Sequence, residues 1–156
     1  MTTQTQNKKV GGAKAPVLRF SGLSGEWEEK RLGEIVKVID GDRGVNYPSL
    51  SDFYEDEHCL FLSAKNVTKR GFEFTEKIFI TKEKDEMMRK GKLKRNDVVL
   101  TTRGSIGHIA CYGQDVSFEN VRINSGMVLI RPEESVISSN FLYMLFGSRK
   151  IQNKIL

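Results

Sequence analysis

The chain has 156 residues, of which 38% are hydrophobic, and its formal net charge is +5. This length suits one domain with a substantial hydrophobic core and leaves little room for a second domain. No apolar run approaches the roughly 18 residues that a membrane span requires, and the polar N-terminus is unlike a secretory signal. The only two cysteines, Cys59 and Cys111, do not make a disulfide framework. The sequence therefore predicts a soluble, cytoplasmic protein.

The positive charge is unevenly distributed along the chain. Residues 1–20 carry four basic and no acidic side chains, whereas residues 21–64 carry four basic and ten acidic ones. Residues 65–103 then carry twelve basic and six acidic side chains. Such a polarised chain suits a protein with one face for an anionic partner and a different face opposite it. The charge pattern favours a nucleic-acid partner but does not by itself establish one.

The N-terminal third of the chain predicts little regular structure. Residues 1–15 are polar and basic and predict a disordered tail. Apolar residues in the segment GEWEEKRLGEI (25–35) are spaced to line one side of a short helix, and alternation over 36–40 predicts a strand. A long irregular stretch follows over residues 41–57. Loops of this length are uncommon in compact domains and are often functional.

The middle of the chain predicts two buried strands and a helix. The strands are CLFLSA (59–64) and KIFIT (77–81), and the basic, polar segment AKNVTKRG (64–71) forms a turn between them. Thr81 is a suitable N-cap for the helix that follows, and Gly91 is a suitable C-terminal stop.

The C-terminal part predicts three more strands and two helices. The strands lie in residues 93–104, 106–113 and 127–132, and the segment 117–126 is interpreted as a linker. A helix is predicted over SSNFLYMLFG (138–147), with Phe141, Met144 and Leu145 on its core face, and Ser148 can cap a second helix. Strands with helices at the flanks and the end predict an α+β domain with a mixed, largely antiparallel sheet.

No motif of a catalytic site is evident. The three prolines are isolated, which excludes the Asn/Asp-Pro-Pro-aromatic motif of a DNA methyltransferase, and no phosphate-binding loop is present. The triplet Glu28-Glu29-Lys30 matches part of a nuclease pattern, but it falls in the predicted charged helix rather than in a strand. The sequence therefore predicts a protein that is not an enzyme and that uses no cofactor.

Two histidine–cysteine pairs, His58-Cys59 and His108-x-x-Cys111, could in principle bind zinc. Neighbouring residues of a strand point to opposite faces, so His58 and Cys59 rarely reach one ion. Buried cysteines in strands explain both pairs better. No metal site is predicted.

Four segments carry a resemblance to a known family, and they occur in the order that the family shows. They are PVLRFSGLSGEWEEKRLGEI (16–35), CLFLSAKNVTKRG (59–71), LKRNDVVLTTRGSIGHIA (93–110) and INSGMVLIRP (123–132), the last followed by the helical segment 138–155. Together they resemble a target-recognition domain of the specificity subunits of type I restriction-modification enzymes. Family members usually carry two such domains, separated by two long helices that pack as an antiparallel coiled coil.

The resemblance implies a recognition domain over residues 16–147, with residues 148–156 as the start of the spacer helix. It implies sequence-specific binding to double-stranded DNA together with a methyltransferase subunit, a restriction subunit and, for a single-domain version, a second specificity chain. Methyl transfer, ATP-driven translocation and cleavage would belong to those partners, and no membrane is involved. The alternatives are the specificity domain of a type II restriction system, or a decoy that occupies the modification enzyme.

DNA recognition requires cations for phosphates and Arg, Lys, Asn or Gln for base edges, so the candidate contacts are sought in loops that combine these side chains. The predicted DNA contacts are Arg43, Asn46, Tyr47, Lys65, Asn66, Thr68, Lys69, Arg70, Arg103, Ser105, Arg122 and Asn124.

Two of these loops are predicted to contact bases. In the 64–71 turn, Asn66 can pair with adenine and Arg70 with guanine, each through two hydrogen bonds. In the 41–57 loop, Tyr47 can stack on a base. Each loop also has a purely structural interpretation, as a solvated hairpin turn or as a packed surface loop flanked by acids.

The remaining candidates are predicted to position the DNA. Gly104 and Gly107 predict a tight turn whose exposed amides, with Arg103 and Ser105, suit phosphate. A structural turn is the equal alternative. Arg122 and Asn124 alternate with apolar neighbours and predict a polar strand face that meets either DNA or water. The five lysines at positions 82, 84, 90, 92 and 94 are interpreted as a solvated surface, with a phosphate-binding stripe as the lesser alternative.

Overall fold

A computed structural model of the protein describes residues 21, 22 and 24–155, and the chain divides into two units, residues 1–31 and 32–156. Within the first unit, residues 24–31 form no helix and Trp27 is 63% exposed. The helix predicted over 25–35 is therefore wrong for most of its length, and only residues 32–35 are helical. Trp27 lies among acidic residues that favour solvent, and it remains largely exposed. The predicted tail (1–15) lies outside the described residues, as do residues 16–20.

The second unit is built from short strands and short helices. The strands are β1 (Val36–Asp40), β2 (Cys59–Leu62), β3 (Val67–Thr68), β4 (Gly71–Phe72), β5 (Phe79–Ile80), β6 (Val98–Thr101), β7 (Ile109–Cys111), β8 (Val121–Ile123) and β9 (Met127–Pro132). The α-helices are α1 (Leu32–Ile35), α2 (Lys82–Met87), α3 (Ser139–Gly147) and α4 (Arg149–Ile155). Two 3₁₀ turns occur at Leu50–Asp52 and Ala64–Asn66. The described helices include none that is long and apolar enough to cross a bilayer.

The predicted α+β class is confirmed, although the strands form three sheets rather than one. A four-stranded antiparallel sheet has the order β1-β9-β6-β7. A three-stranded sheet has the order β5-β2-β8, in which β2 runs antiparallel to β5 and parallel to β8. The pair β3-β4 forms a separate hairpin. The large sheet and the three-stranded sheet share the main apolar core, where Leu60, Ile123 and Leu129 are fully buried.

Helix α3 covers the other side of the four-stranded sheet, in a core with Val98 and Ile130. Its buried side chains are Leu142 and Phe146, one helical turn apart, whereas Phe141 is 48% and Met144 is 73% exposed. The prediction of the helix is correct, but the predicted core face is wrong. Apolar residues occur on both sides of the helix, so their spacing alone does not determine which side packs against the sheet.

Helix α2 begins at the predicted cap, where the Thr81 hydroxyl accepts a hydrogen bond from the Lys84 amide (3.2 Å). It ends at Met87, before the predicted stop at Gly91, because Met88 is extended and buried against Phe61 and Ile80. Burial of this one side chain therefore outweighs the helix propensity of the residues that follow.

The segment 117–126, interpreted as a linker, contains strand β8, and its central residue Arg122 is only 5% exposed. The Arg122 guanidinium donates hydrogen bonds to the Asp85 carboxylate (2.7 Å) and to the carbonyl oxygens of Asp85 (2.6 Å) and Lys90 (2.5 Å). The Lys92 ammonium binds the same carboxylate and also donates to Asn120 (3.0 Å). The network joins α2 to β8 beneath the surface.

Burial by itself would raise the pKa of Asp85, but the hydrogen bonds from Lys92 and Arg122, with the charges of both cations, outweigh burial and hold this pKa below its ordinary value. The carboxylate is thus charged in the fold and fully paired. Since removal of one partner leaves an incompletely compensated buried charge, the pair should be intolerant of substitution.

We expect Arg122→Met to lower the free energy of unfolding by about 3 kcal/mol, because Asp85 then loses one of the two cations that are hydrogen-bonded to it. The lowered pKa of Asp85 stabilises the wild-type fold above about pH 4 and is lost as the pH falls through the folded-state pKa. In the variant this loss should be smaller, because the folded-state pKa of Asp85 then lies closer to its unfolded-state value. Urea unfolding between neutral pH and about pH 3 measures both effects. The exposed Arg149→Met is the matched control, expected within about 0.5 kcal/mol of wild type. Equal stabilities for the two variants would contradict the structural role of Arg122.

Candidate nucleic-acid interface

Four loops emerge at the same end of the two sheets. In the four-stranded sheet, β1 and β6 end where β7 and β9 begin, because their pairing is antiparallel. In the three-stranded sheet, β2 and β8 run parallel and end together. The three residues 124–126 connect β8 directly to β9, so this end is common to both sheets. The loops at this end are residues 41–47, 63–71, 102–108 and 124–126.

Direct hydrogen bonds join three of these loops. The Arg43 guanidinium donates to the Ser125 carbonyl (3.3 Å), and the Ser125 amide donates to the Tyr47 hydroxyl (3.4 Å). The Arg103 amide donates to the Gly126 carbonyl (3.1 Å). The turn 124–126 therefore stands in the middle, with the Arg43 loop on one side and the Arg103 loop on the other.

The fourth loop, 63–71, contains most of the β3-β4 hairpin, which lies against the 102–108 loop. A ring nitrogen of His108 is 3.0 Å from the Val67 carbonyl, within hydrogen-bond distance. Lys69, at the hairpin tip, and Ile106 line one depression of about 290 Å³. The structure therefore brings the two loops that the sequence analysis interpreted separately, the 64–71 turn and the 104–107 turn, side by side.

Exposed cations with few competing partners mark this end of the molecule. Lys69, Arg70 and Arg103 are exposed, and their side chains make no hydrogen bond or ion pair with any residue in the described ranges. Lys65 instead pairs with Glu76 (2.8 Å), and Arg43 lies 3.7 Å from Asp40. Such surface pairs contribute little to stability and exchange readily for a phosphate. The arrangement suits the backbone of a nucleic acid.

Asn66 does not lie at this surface, although it was predicted to read a base. It is 1% exposed, and its amide oxygen accepts hydrogen bonds from the amide and hydroxyl of Ser63 (2.9 and 3.1 Å). Its amide nitrogen donates to the carbonyls of Glu73 (3.1 Å) and Glu76 (2.7 Å). Since the amide has no further hydrogen-bonding capacity, Asn66 braces the hairpin from below and the predicted adenine contact is wrong.

We expect Asn66→Ala to lower the free energy of unfolding by about 1–3 kcal/mol, because four partly buried hydrogen-bonding groups lose their partner. Lys65→Ala, at the exposed neighbouring position, should stay within about 0.5 kcal/mol of wild type. Chemical denaturation of the two variants gives the comparison. If Asn66→Ala were as stable as Lys65→Ala, the brace would be disproved.

Three other predicted contacts also hold the loops in shape. The Thr68 hydroxyl donates to the Gly71 carbonyl (3.1 Å) and accepts from the Arg70 amide (3.1 Å), which closes the hairpin turn. Asn46 donates to the Met87 carbonyl (3.0 Å), and the ring of Tyr47 packs edge-on against Phe61 at 5.7 Å. For Asn46 and Tyr47 the alternative of a packed surface loop is the one that the structure supports.

The polar strand face predicted from Arg122 and Asn124 does not exist. Arg122 is buried by α2 and by the Lys90–Lys92 backbone, as described above. Asn124 is half-buried, and its side-chain oxygen accepts from the Gly126 amide (2.8 Å) within the central turn. Alternation along a three-residue strand cannot distinguish a solvent-facing side from one that another element covers.

The turn around Gly104 and Gly107 has the predicted form, with φ values of +71° and +84°. Ser105 is exposed at its tip, and its carbonyl accepts a hydrogen bond from the Thr101 hydroxyl. Most amides of the turn already have acceptors, including that of Arg103. Within the described residues of this turn, only the amides of Gly104 and Ser105 have no acceptor and can bind a phosphate. The turn therefore offers fewer free amides than the sequence predicted.

Three of the five lysines that were interpreted as a solvated surface have separate partners, which does not favour the alternative of a phosphate-binding stripe. Lys84 pairs with Asp52 (3.2 Å) and Lys82 lies 3.9 Å from Glu86, whereas Lys92 belongs to the buried Asp85 network. Of these five lysines, only Lys90 and Lys94 are exposed and have no side-chain partner among the described residues. They lie at different places, because Lys94 precedes β6 at the end of the sheet opposite the four loops.

Cys59 has the buried character that was expected, whereas Cys111 is half-buried. Cys59 is fully buried, and burial raises the pKa of its thiol to about 12. Burial also raises the pKa of Cys111. Within the described ranges, no group of three or more His, Cys, Asp or Glu side chains is placed to hold a metal ion.

Residues 24–156 match the family model of the type I restriction modification DNA specificity domain. The chain belongs to this family. It is 33% identical over 73 residues to the specificity subunit of the type I restriction enzyme EcoBI from Escherichia coli, a match that covers 47% of this chain and 15% of that subunit.

Two solved structures share the fold of the domain. The HsdS subunit from Thermoanaerobacter tengcongensis matches with a TM-score of 0.58 at 20% identity, over 90% of this chain and 32% of that subunit. A chain from a study of complex assembly and conformational transition in the type I R-M system matches with a TM-score of 0.57 at 19% identity, over 87% of this chain and 32% of the other. The specificity domain described here thus spans about a third of these structures, and a smaller share of the curated relative.

Proposed function

We propose that the four-loop end, formed by residues 41–47, 63–71, 102–108 and 124–126, binds double-stranded DNA and selects its sequence. The observation that carries this proposal is the convergence of Arg43, Lys69, Arg70 and Arg103 at one end of the two sheets, where hydrogen bonds join the loops to one another. The buried polar groups below fix the loop backbones, so the cations are presented on a rigid support. Preorganised loops suit recognition because little ordering entropy is lost on binding.

Within this surface we assign two roles. Arg103 and the amides of Gly104 and Ser105 hold phosphates, which positions the domain on the duplex without reading it. Lys69, exposed at the hairpin tip, holds a further phosphate, and the exposed Arg70 beside it is the proposed base-reading side chain. An arginine recognises guanine through two hydrogen bonds in the major groove.

We further propose that the domain acts in the cytoplasm as the DNA-recognition component of a type I restriction-modification enzyme. A methyltransferase subunit and a restriction subunit would then carry out methyl transfer and cleavage, while a second specificity chain would recognise the other half of a split site. This assignment of partners rests on family membership and on the resemblance of a single recognition domain to one part of a longer subunit.

We expect Arg103→Ala and Lys69→Ala each to weaken binding to a mixed-sequence duplex. Each lost phosphate contact should reduce the slope of log affinity against log salt by about 0.9. Lys94→Ala is the matched control, because this equally exposed lysine lies at the opposite end of the sheet. Fluorescence anisotropy over a series of salt concentrations gives the slopes. If Lys94→Ala weakened binding as much as Arg103→Ala, the positive charge alone, not the four-loop end, would explain affinity.

We expect Arg70→Ala to relax sequence preference, whereas Arg103→Ala preserves it. The preferred site is first selected from a random duplex library by the chain bound to the methyltransferase subunit of its own system. Affinities for every single-base variant of that site are then compared. Arg70→Ala should cost about 1–3 kcal/mol at one base pair and little elsewhere, and Arg103→Ala should weaken all variants equally. Failure to select any site would count against sequence recognition and favour a decoy that occupies the modification enzyme.

A further inference from the structure

A second basic cluster lies beside the four-loop end, in a depression of about 300 Å³ between residues 40–44 and residues 89–90. Arg43, Arg89 and Lys90 line it, and all three are exposed. The sequence analysis did not single out Arg89, and it grouped Lys90 with the solvated lysines. Asp42, whose side chain is buried, joins these residues to the Arg43 loop.

Asp42 holds the two sides of the depression together. Its carboxylate accepts hydrogen bonds from the amides of Gly44 (2.7 Å), Arg89 (2.6 Å) and Lys90 (3.3 Å). The Gly44 hydrogen bond is the main reason why the pKa of Asp42 is lowered, and it outweighs the opposing effect of burial. Because the buried charge is committed to three amides, it orients the Arg89 and Lys90 backbone, and its own repulsion of an incoming anion is reduced.

Two glycines allow this close approach. A side chain at Gly41 would place its Cβ 2.1 Å from the Asn124 carbonyl oxygen, and one at Gly91 would meet Ile123 at 3.0 Å. Gly91 also has a φ of +85°, which side-chain-bearing residues rarely adopt. The segment 89–91, the 41–44 loop and the central turn 124–126 are therefore in direct backbone contact. Arg43, at the edge of the depression, donates to the Ser125 carbonyl, and the neighbouring Gly126 carbonyl accepts from the Arg103 amide, so the turn 124–126 links the two loops.

We propose that this depression binds a backbone phosphate of the DNA through Arg43, Arg89 and Lys90, which extends the contact beyond the four loops. The inference rests on the proposed function of the four-loop end. Asp40, which is exposed and lies 3.7 Å from Arg43, competes with the phosphate for that guanidinium. Three cations at this site face two carboxylates, and the Asp42 carboxylate is already hydrogen-bonded to amides. The site therefore makes a modest contribution to DNA affinity, which substitutions can either raise or lower.

The test uses the whole chain and a mixed-sequence DNA duplex, and measures affinity at several salt concentrations. We expect Arg89→Ala and Lys90→Ala each to reduce the salt slope by up to about 0.9, because each weakens the neutralisation of one phosphate while leaving the backbone amides on Asp42. We expect Asp40→Asn to tighten binding severalfold, since it frees Arg43 and removes a repulsive charge. Glu133→Gln, an equal change of charge at the opposite end of the sheet, is its control and should leave affinity almost unchanged.

Thermal unfolding of each variant establishes that the fold is intact, and Asp40→Asn keeps the test decisive even if an alanine variant is unstable. The inference is overturned if Arg103→Ala weakens binding while Arg89→Ala and Lys90→Ala do not, and Asp40→Asn behaves like Glu133→Gln. In that case the function proposed for the four-loop end still stands. If the wild-type chain and every variant fail to bind DNA at low salt, both the inference and that function are wrong.

Discussion

The short connection between β8 and β9 is the constraint on which the arrangement of the domain depends. Only residues 124–126 separate a strand of the three-stranded sheet from a strand of the four-stranded sheet. The two sheets must therefore end at the same place, and every loop that leaves this end is a neighbour of the others. The close contact of Gly41 with the Asn124 carbonyl leaves no room for a side chain between them. A functional surface at this end follows from connectivity, before any particular side chain is considered.

Buried polar groups then convert this connectivity into a defined surface. Asp42 fixes the segment 89–90, Asn66 fixes the base of the hairpin, and Asp85 with Arg122 ties α2 to β8. Each of these side chains is buried and is hydrogen-bonded to neighbouring segments. Their hydrogen bonds offset the cost of desolvation. Because the dielectric around them is low, these hydrogen bonds are strong and hold the loop backbones in one conformation. The loops thus need no ligand to acquire their shape.

The sequence predicted the α+β class, most of the strands, the Thr81 and Ser138 helix starts and the glycine turn at 104–107, because these features depend on local patterns of apolar spacing, capping and backbone freedom. It did not distinguish exposed polar residues from buried ones. Asn66 and Arg122 have side chains of the kind that can bind DNA. Contacts with distant segments nevertheless place Asn66 under the hairpin and Arg122 under α2. Arg89 was missed for the converse reason, since its place beside Arg43 depends on a hydrogen bond to Asp42, 47 residues earlier in the chain.

The hairpin tip illustrates what this division between support and contact makes possible. Thr68 and Asn66 determine the shape of the turn, whereas Lys69 and Arg70 project from it without packing into the core. Exchange of the two tip side chains should change the chemical groups offered to a partner at almost no cost in folding free energy. Mutational tolerance is therefore concentrated at the positions that would determine the choice of ligand. A protein built in this way can acquire a new preference through a few substitutions while its scaffold stays unchanged.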